Sequence, residues 1–254
     1  MMDLKGFQEL IRARCNFTIV KYGDGPIFNM MSENDQEVNC DGVRYTEFLK
    51  YNLQSAYMYF LINRRTYICK WDVPIGIEMY FDHYFADFYD QHKFVEYNIL
   101  IHKLPFKQDM IDFYKSIKNS TRRKIYITNE KLAPIVKQIF SSKESSTCET
   151  FIVEEKDCGD FHLSYLSKLL KIIHNDCRNS VSGNEISSDD NIIMTSCGTY
   201  AAVLIHSLMQ HRPNNTYIDI GSSFDGLYRH SRDFNGSEEY KQKMSEIYLK
   251  EWFY

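Results

Sequence analysis

The sequence lacks the marks of several large protein classes. No window approaches the roughly 18 apolar residues of a membrane span, and the start, Met1-Met2-Asp3-Leu4-Lys5-Gly6-Phe7, never builds the apolar segment of a signal peptide. A cytoplasmic protein without a membrane span is the expectation. The seven cysteines, at 15, 40, 69, 148, 158, 177 and 197, form no C-x-x-C pair. An odd number of them in a chain too long to need staples reads as reduced thiols. None of the eight histidines belongs to an H-E-x-x-H pair, which argues against a histidine-built zinc site. G-x-S-x-G, the P-loop lysine motif and G-x-G-x-x-G are also missing. The formal net charge of -4 supplies no basic field for a nucleic-acid backbone, so nucleic acid is not an expected partner. There is no repeat, heptad array or low-complexity tract.

What is present is the composition of a globular protein, with 44% hydrophobic residues and enough length for a large core. The β-branched run Phe17-Thr18-Ile19-Val20 reads as a strand that feeds a loop at Lys21-Tyr22-Gly23-Asp24-Gly25-Pro26, where two glycines and a proline oppose regular structure. After Thr46, a candidate N-cap, Leu49, Leu53, Ala56 and Phe60 recur on one face of a helix. Further strands are predicted at 66–70, 95–101, 124–127, 150–153, 192–196 and 216–220. Helices are predicted at 78–90, 107–118, 130–140, 162–173 and 199–210, with a closing amphipathic helix at 237–254. This β-α alternation predicts a doubly wound, Rossmann-like α/β fold: a mostly parallel sheet with helices on both faces. The polar stretch from Arg178 to Asp190 reads as a loop.

Ligands of open parallel sheets bind at the carboxyl ends of strands, which directs attention to the residues just after them. Tyr22-Gly23-Asp24-Gly25 offers close backbone approach and a carboxylate for a metal, a hydroxyl or a ribose. Thr195-Ser196-Cys197-Gly198-Thr199-Tyr200 is a strand, a small-residue turn and a helix start, whose free N–H groups suit a diphosphate. In that stretch Thr199 either caps the helix or touches phosphate. Tyr217-Ile218-Asp219-Ile220-Gly221-Ser222-Ser223-Phe224-Asp225 has the look of an adenosylmethionine-binding methyltransferase motif. That motif normally opens the sheet, however, and only 35 residues follow Asp219. His102, Lys21, Arg122, Arg123 and Lys124 read more simply as a satisfied structural histidine and solvated charges.

In order and spacing these segments resemble the GT-D fold glycosyltransferases of bacteria and viruses, and the resemblance spans most of the chain. It rests on Tyr22-Gly23-Asp24-Gly25, on Asn39-Cys40-Asp41-Gly42 with Tyr45, on Ser196-Cys197-Gly198, and on Thr216-Tyr217-Ile218-Asp219-Ile220-Gly221-Ser222 with Phe224-Asp225 and Ser231-Arg232. The resemblance implies a single glycosyltransferase domain over residues 1–254. It would move a hexose or related sugar from a nucleotide-diphosphate sugar donor to a glycan acceptor. It also implies a D-x-E motif that helps hold Mn²⁺ or Mg²⁺. Here that motif reads Asp24-Gly25-Pro26, so the glutamate is missing and Asp24 is left as the metal ligand, with Asp41 or Asp225 as further oxygens.

The expected assignment follows. Asp24 holds a cation or the donor ribose, Asp41 contacts the acceptor or serves as base, Gly198 and Thr199 cradle phosphate, and Arg232 neutralises the leaving diphosphate. Tyr22, Gly23, Gly25, Asn39, Tyr45, Cys197, Gly221, Ser222 and Asp225 complete the expected substrate-binding set. Asp219 reads equally as an anchor for the Gly221-Ser222 turn. A methyltransferase and a non-catalytic carbohydrate-binding relative are the alternatives.

Overall fold

The computed structural model describes residues 2–31, 43–70, 94–100, 108–142, 148–175 and 190–224. Among these residues the apolar runs of the sequence become seven strands: β1 (Thr18–Tyr22), β2 (Thr66–Lys70), β3 (Phe94–Glu96), β4 (Lys124–Thr128), β5 (Cys148–Ile152), β6 (Ile192–Ser196) and β7 (Thr216–Asp219). They pair in the order β3-β2-β1-β7-β6-β4-β5, and every pairing is parallel. Burial follows position in the sheet. Every residue of β1, β4 and β7 is buried, whereas edge strand β5 buries only Cys148 and Phe151. Inner strands covered on both faces need apolar residues without alternation, and an edge strand does not.

Seven α-helices accompany the strands among the described residues: α1 (Leu4–Arg12), α2 (Asp24–Met31), α3 (Glu47–Ile62), α4 (Gln108–Asn119), α5 (Ala133–Phe140), α6 (His162–Asn175) and α7 (Tyr200–His211). The connections β1→β2, β5→β6 and β6→β7 run along the sheet in one direction, while β3→β4 and β4→β5 run in the other. Right-handed crossovers therefore require α3, α6 and α7 on one face and α4 and α5 on the opposite face. The two hydrophobic cores are divided in that way. One joins α2, α3, α6 and α7 to the sheet, and the other joins α1, α4 and α5. The second holds a cluster of rings, with Phe224 centred 5.2 Å from Tyr114 and 5.7 Å from Phe140. The fold is thus α/β, with an all-parallel sheet of the Rossmann-like kind.

Local chemistry explains most boundaries. The Thr46 hydroxyl accepts the Leu49 N–H at 3.2 Å and opens α3, and Leu49, Leu53, Ala56 and Phe60 are all buried on its inner face. α1, for which the periodic segments gave no expectation, starts where Asp3 accepts the Gly6 N–H at 2.8 Å, and it buries Leu4, Phe7 and Ile11. The expected loop after β1 requires correction, because α2 begins at Asp24 itself. Pro26 falls in its first turn, where an N–H has no intrahelical partner and proline is tolerated. The strand expected at 95–101 is the three residues of β3 followed by a 3₁₀ turn, Tyr97–Leu100. The helices expected at 78–90 and 237–254, His102, and nearly all of the polar 178–190 stretch lie outside the described residues.

Candidate functional site

Because every strand is parallel, their carboxyl ends share one edge of the sheet. Two neighbours of β7 exit there in the same manner. β1 passes through Gly23 into α2, and β6 passes through Cys197 and Gly198 into α7, both toward the same face. β7 itself leaves through the turn at 221–224 toward the other face, where Phe224 enters the second core. A strand whose exit opposes those of its neighbours opens a crevice at its carboxyl end. The N-termini of α2 and α7 stand on either side of the carboxyl end of β7, each carrying the partial positive charge of a helix start.

Two glycines shape the turns. Gly198 has φ of +56°, and a Cβ built there would meet no atom within 4 Å, so the backbone faces open space. Gly221, at φ +60°, holds a backbone conformation that side chains rarely adopt, and an added Cβ would lie 3.0 Å from Lys21 Nζ and 3.1 Å from its Cδ, so Lys21 would have to shift. The turns are tied together. Ser196 Oγ donates to the Gly221 carbonyl at 2.8 Å, which leaves the Tyr126 hydroxyl, 2.8 Å away, to donate to Ser196. Thr199 is buried and helical, and its side chain makes no cap, so the capping reading is corrected.

Asp219 is an anchor. It is 3% exposed, and its two oxygens accept the Lys21 N–H at 3.2 Å and the Gly221 N–H at 3.0 Å. Lys21 Nζ donates to the Ile220 carbonyl at 2.9 Å beneath the same turn. Burial pushes the Asp219 carboxyl up to about 6 from its ordinary 3.8, against the opposing pull of Lys21 and of the two N–H bonds. A raised carboxyl pKa means that the folded chain holds the proton more tightly than the unfolded chain does. The stability from this group is therefore full below pH 3.8, declines as pH rises through about 6, and is level above it. The decline should amount to about 3 kcal/mol. It should appear as the pH-dependent difference between the wild type and Asp219→Asn in urea denaturation.

Several expected site residues are brought together here, and others are not. Gly23, Asp24, Gly25, Cys197, Gly198, Thr199, Gly221 and Ser222 all follow β1, β6 or β7 at this edge. Tyr22 is a correction. Its ring lies in the core 4.9 Å from Tyr57, and its hydroxyl donates to the Leu53 carbonyl at 3.2 Å, so it offers no face to a ligand. Tyr45 is likewise buried, beside Arg44, which binds Asp157 and Asp160 at 3.2 and 2.7 Å. Cys197 is half-buried, and desolvation holds its thiol well above its ordinary value, so it stays protonated. Asn39, Asp41, Asp225 and Arg232 lie outside the described residues.

The expected solvated charges also require correction. Lys21, Arg122 and Lys124 are buried, each spent on backbone carbonyls: Ile220 for Lys21, Asp190 and Asn191 for Arg122, and Ser120 for Lys124. A long cationic side chain can cap exposed carbonyls at strand ends, a role that composition does not reveal. Sequence reasoning also missed Asn29 in α2, which is 1% exposed, and Thr128 and Thr195 near the ends of β4 and β6; among the described residues neither Asn29 amide atom and neither threonine hydroxyl has a hydrogen-bond partner. Nothing in their spacing distinguishes them from ordinary core positions.

Among the described residues no three His, Cys, Asp or Glu side chains gather to hold a metal ion. None of the described helices is long and apolar enough to cross a membrane. Comparison with family models, with curated proteins and with solved structures finds no match to this chain.

Proposed function

We propose that the chain is a glycosyltransferase that takes a sugar from a nucleotide-diphosphate donor bound in the crevice at the carboxyl end of β7. The observation that carries this reading is the pair of helix N-termini, at Asp24 and Tyr200, on the two strands flanking β7. Helix starts favour phosphate oxygens through the orientation of their N–H groups and the helix dipole. The open backbone at Gly198 leaves room for them. Thr195 and Asn29, which have no side-chain hydrogen-bond partner among the described residues, add support, since buried polar groups of that kind are commonly satisfied by a ligand or water.

In this reading the α7 start at Gly198 and Thr199 stabilises the diphosphate as its charge grows on leaving. Asp24 orients the donor through its ribose or a cation, and Asp41 is the candidate base for the acceptor hydroxyl. Arg232 and Asp225 complete the diphosphate and sugar contacts. The anchored Asp219 keeps the Gly221-Ser222 turn in register with the two helix starts. Incubation with a panel of nucleotide sugars and assay of released nucleoside diphosphate tests the proposal. Release from one donor, lost in Asp24→Asn, is the expected result. No release from any donor would favour the carbohydrate-binding alternative.

The described residues do not by themselves build a metal site. A carboxylate such as Asp24, with proline in place of the motif's glutamate, holds Mg²⁺ or Mn²⁺ weakly unless the donor's phosphates complete the shell. Calorimetry is therefore expected to show little divalent binding to the free protein and clear binding once a nucleoside diphosphate is present. Tight binding without nucleotide would show that other side chains rebuild the site.

A further inference from the structure

At the opposite, amino-terminal edge of the sheet the structure forms a cavity of about 250 Å³. Its lining comes from the segments that enter β1, β2 and β7 and from the last turns of α7. Phe17, Met209 and Pro213 supply apolar surface, and Arg64 and Arg65 stand at the rim. Strands of four or five residues separate this edge from the Gly198 and Gly221 turns by on the order of 15 Å.

The polar groups of the cavity differ in what they have left to offer. Asn16 donates to the Asn214 carbonyl at 2.6 Å, and its oxygen accepts from Arg122 and Thr216. Asn63 accepts the Arg65 N–H at 3.0 Å. The Asn215 oxygen takes two backbone N–H groups and the Asn191 amide. These amides are used in holding the edge together. By contrast, neither the Arg64 nor the Arg65 guanidinium has a carboxylate or any other hydrogen-bond acceptor among the described residues, and both are exposed. The cavity therefore offers uncommitted donors and few uncommitted acceptors.

Helix dipoles give these arginines a simpler role, because α3 and α7 both end at this edge. Each helix end carries roughly half a negative charge, so two of them offset about one guanidinium. Arg64, Arg65 and Arg212 together exceed that. Among the described residues, Asp190 near this edge is already shared by Arg14 and Arg122, and Glu149 at the start of β5 is held by Arg123. Among the described residues net positive charge remains over an apolar floor, within a chain whose net charge is -4.

We infer that this cavity is a second binding site, independent of the proposed catalytic crevice, for a small organic anion. The anion would be a phosphate or carboxylate held by Arg64 and Arg65, with a compact apolar body against Phe17, Met209 and Pro213. Guanidinium forks match both oxyanions, and the cavity size limits the body to about one ring.

Met209 supplies a reporter. In protein labelled with ¹³C-methyl methionine, its resonance is identified by its loss in Met209→Leu. Titration with phenyl phosphate should shift that resonance saturably. Inorganic phosphate should bind more weakly, and benzyl alcohol at equal concentration should leave the resonance in place. Arg64→Gln and Arg65→Gln should each weaken phenyl phosphate binding about tenfold. Their melting temperatures should not change, because both side chains are exposed, and any nucleoside diphosphate binding should be retained. A Met209 resonance that phenyl phosphate does not move would overturn the inference. So would one that benzyl alcohol moves equally, or one whose response to phenyl phosphate survives both substitutions.

Discussion

Asp24→Asn is expected to reduce sugar transfer by about 10²–10³-fold, the usual cost of removing one group that stabilises or orients charge in the transition state. The fold should lose no more than about 1 kcal/mol. Asp24 opens α2, and an acid at a helix start gains only a dipole interaction of that size, part of which asparagine keeps through its own preference for such positions. The substitution is nearly isosteric, so the Gly23 carbonyl still receives the Ile27 N–H that begins the helix. The distinguishing result is a large loss of rate at an unchanged melting temperature. A variant that melts far below the wild type would make Asp24 a turn residue and remove it from the proposed chemistry.

Asp219→Ala is expected to do the reverse and destabilise the fold by about 3–5 kcal/mol. The truncation strands the buried N–H groups of Lys21 and Gly221 and leaves the Lys21 ammonium without its nearby carboxylate. Asp219→Asn should fall between the variant and the wild type, losing about 1–3 kcal/mol, because one oxygen still accepts while the new amide opposes an N–H donor. Equilibrium urea unfolding at pH 7 separates the three proteins. If Asp219→Ala unfolds at the same urea concentration as the wild type, the carboxylate does not anchor the Gly221 turn.

The architecture was legible because its signals are local. β2 and β6 occupy the residues that their apolar runs predicted, and the Thr46 cap with its four-three-four spacing located α3. α2 was misread for an equally local reason. Gly23, Gly25 and Pro26 are breakers within a segment, yet the same residues are tolerated where a helix begins, and only tertiary placement separates the two. The turns at Gly198 and Gly221 were visible as strand-glycine junctions. What they do depends on strand order, because β7, the last of the described strands in sequence, lies between β1 and β6 in space. For the same reason the burial of Lys21 and Arg122 escaped detection. A sequence shows a charge, and only the fold shows that the charge sits over the carbonyls of a strand end many residues away.

Thermal melting of the protein with nucleoside diphosphates, and with adenosylmethionine as the control, bears most directly on the proposed crevice. At about 100 times its dissociation constant, a nucleoside diphosphate bound between the α2 and α7 starts stabilises the fold by about 2.7 kcal/mol, a readily visible rise in melting temperature. Adenosylmethionine should produce none. No rise with any nucleoside diphosphate, or a rise with adenosylmethionine alone, would contradict the assignment of this crevice to a nucleotide-sugar donor.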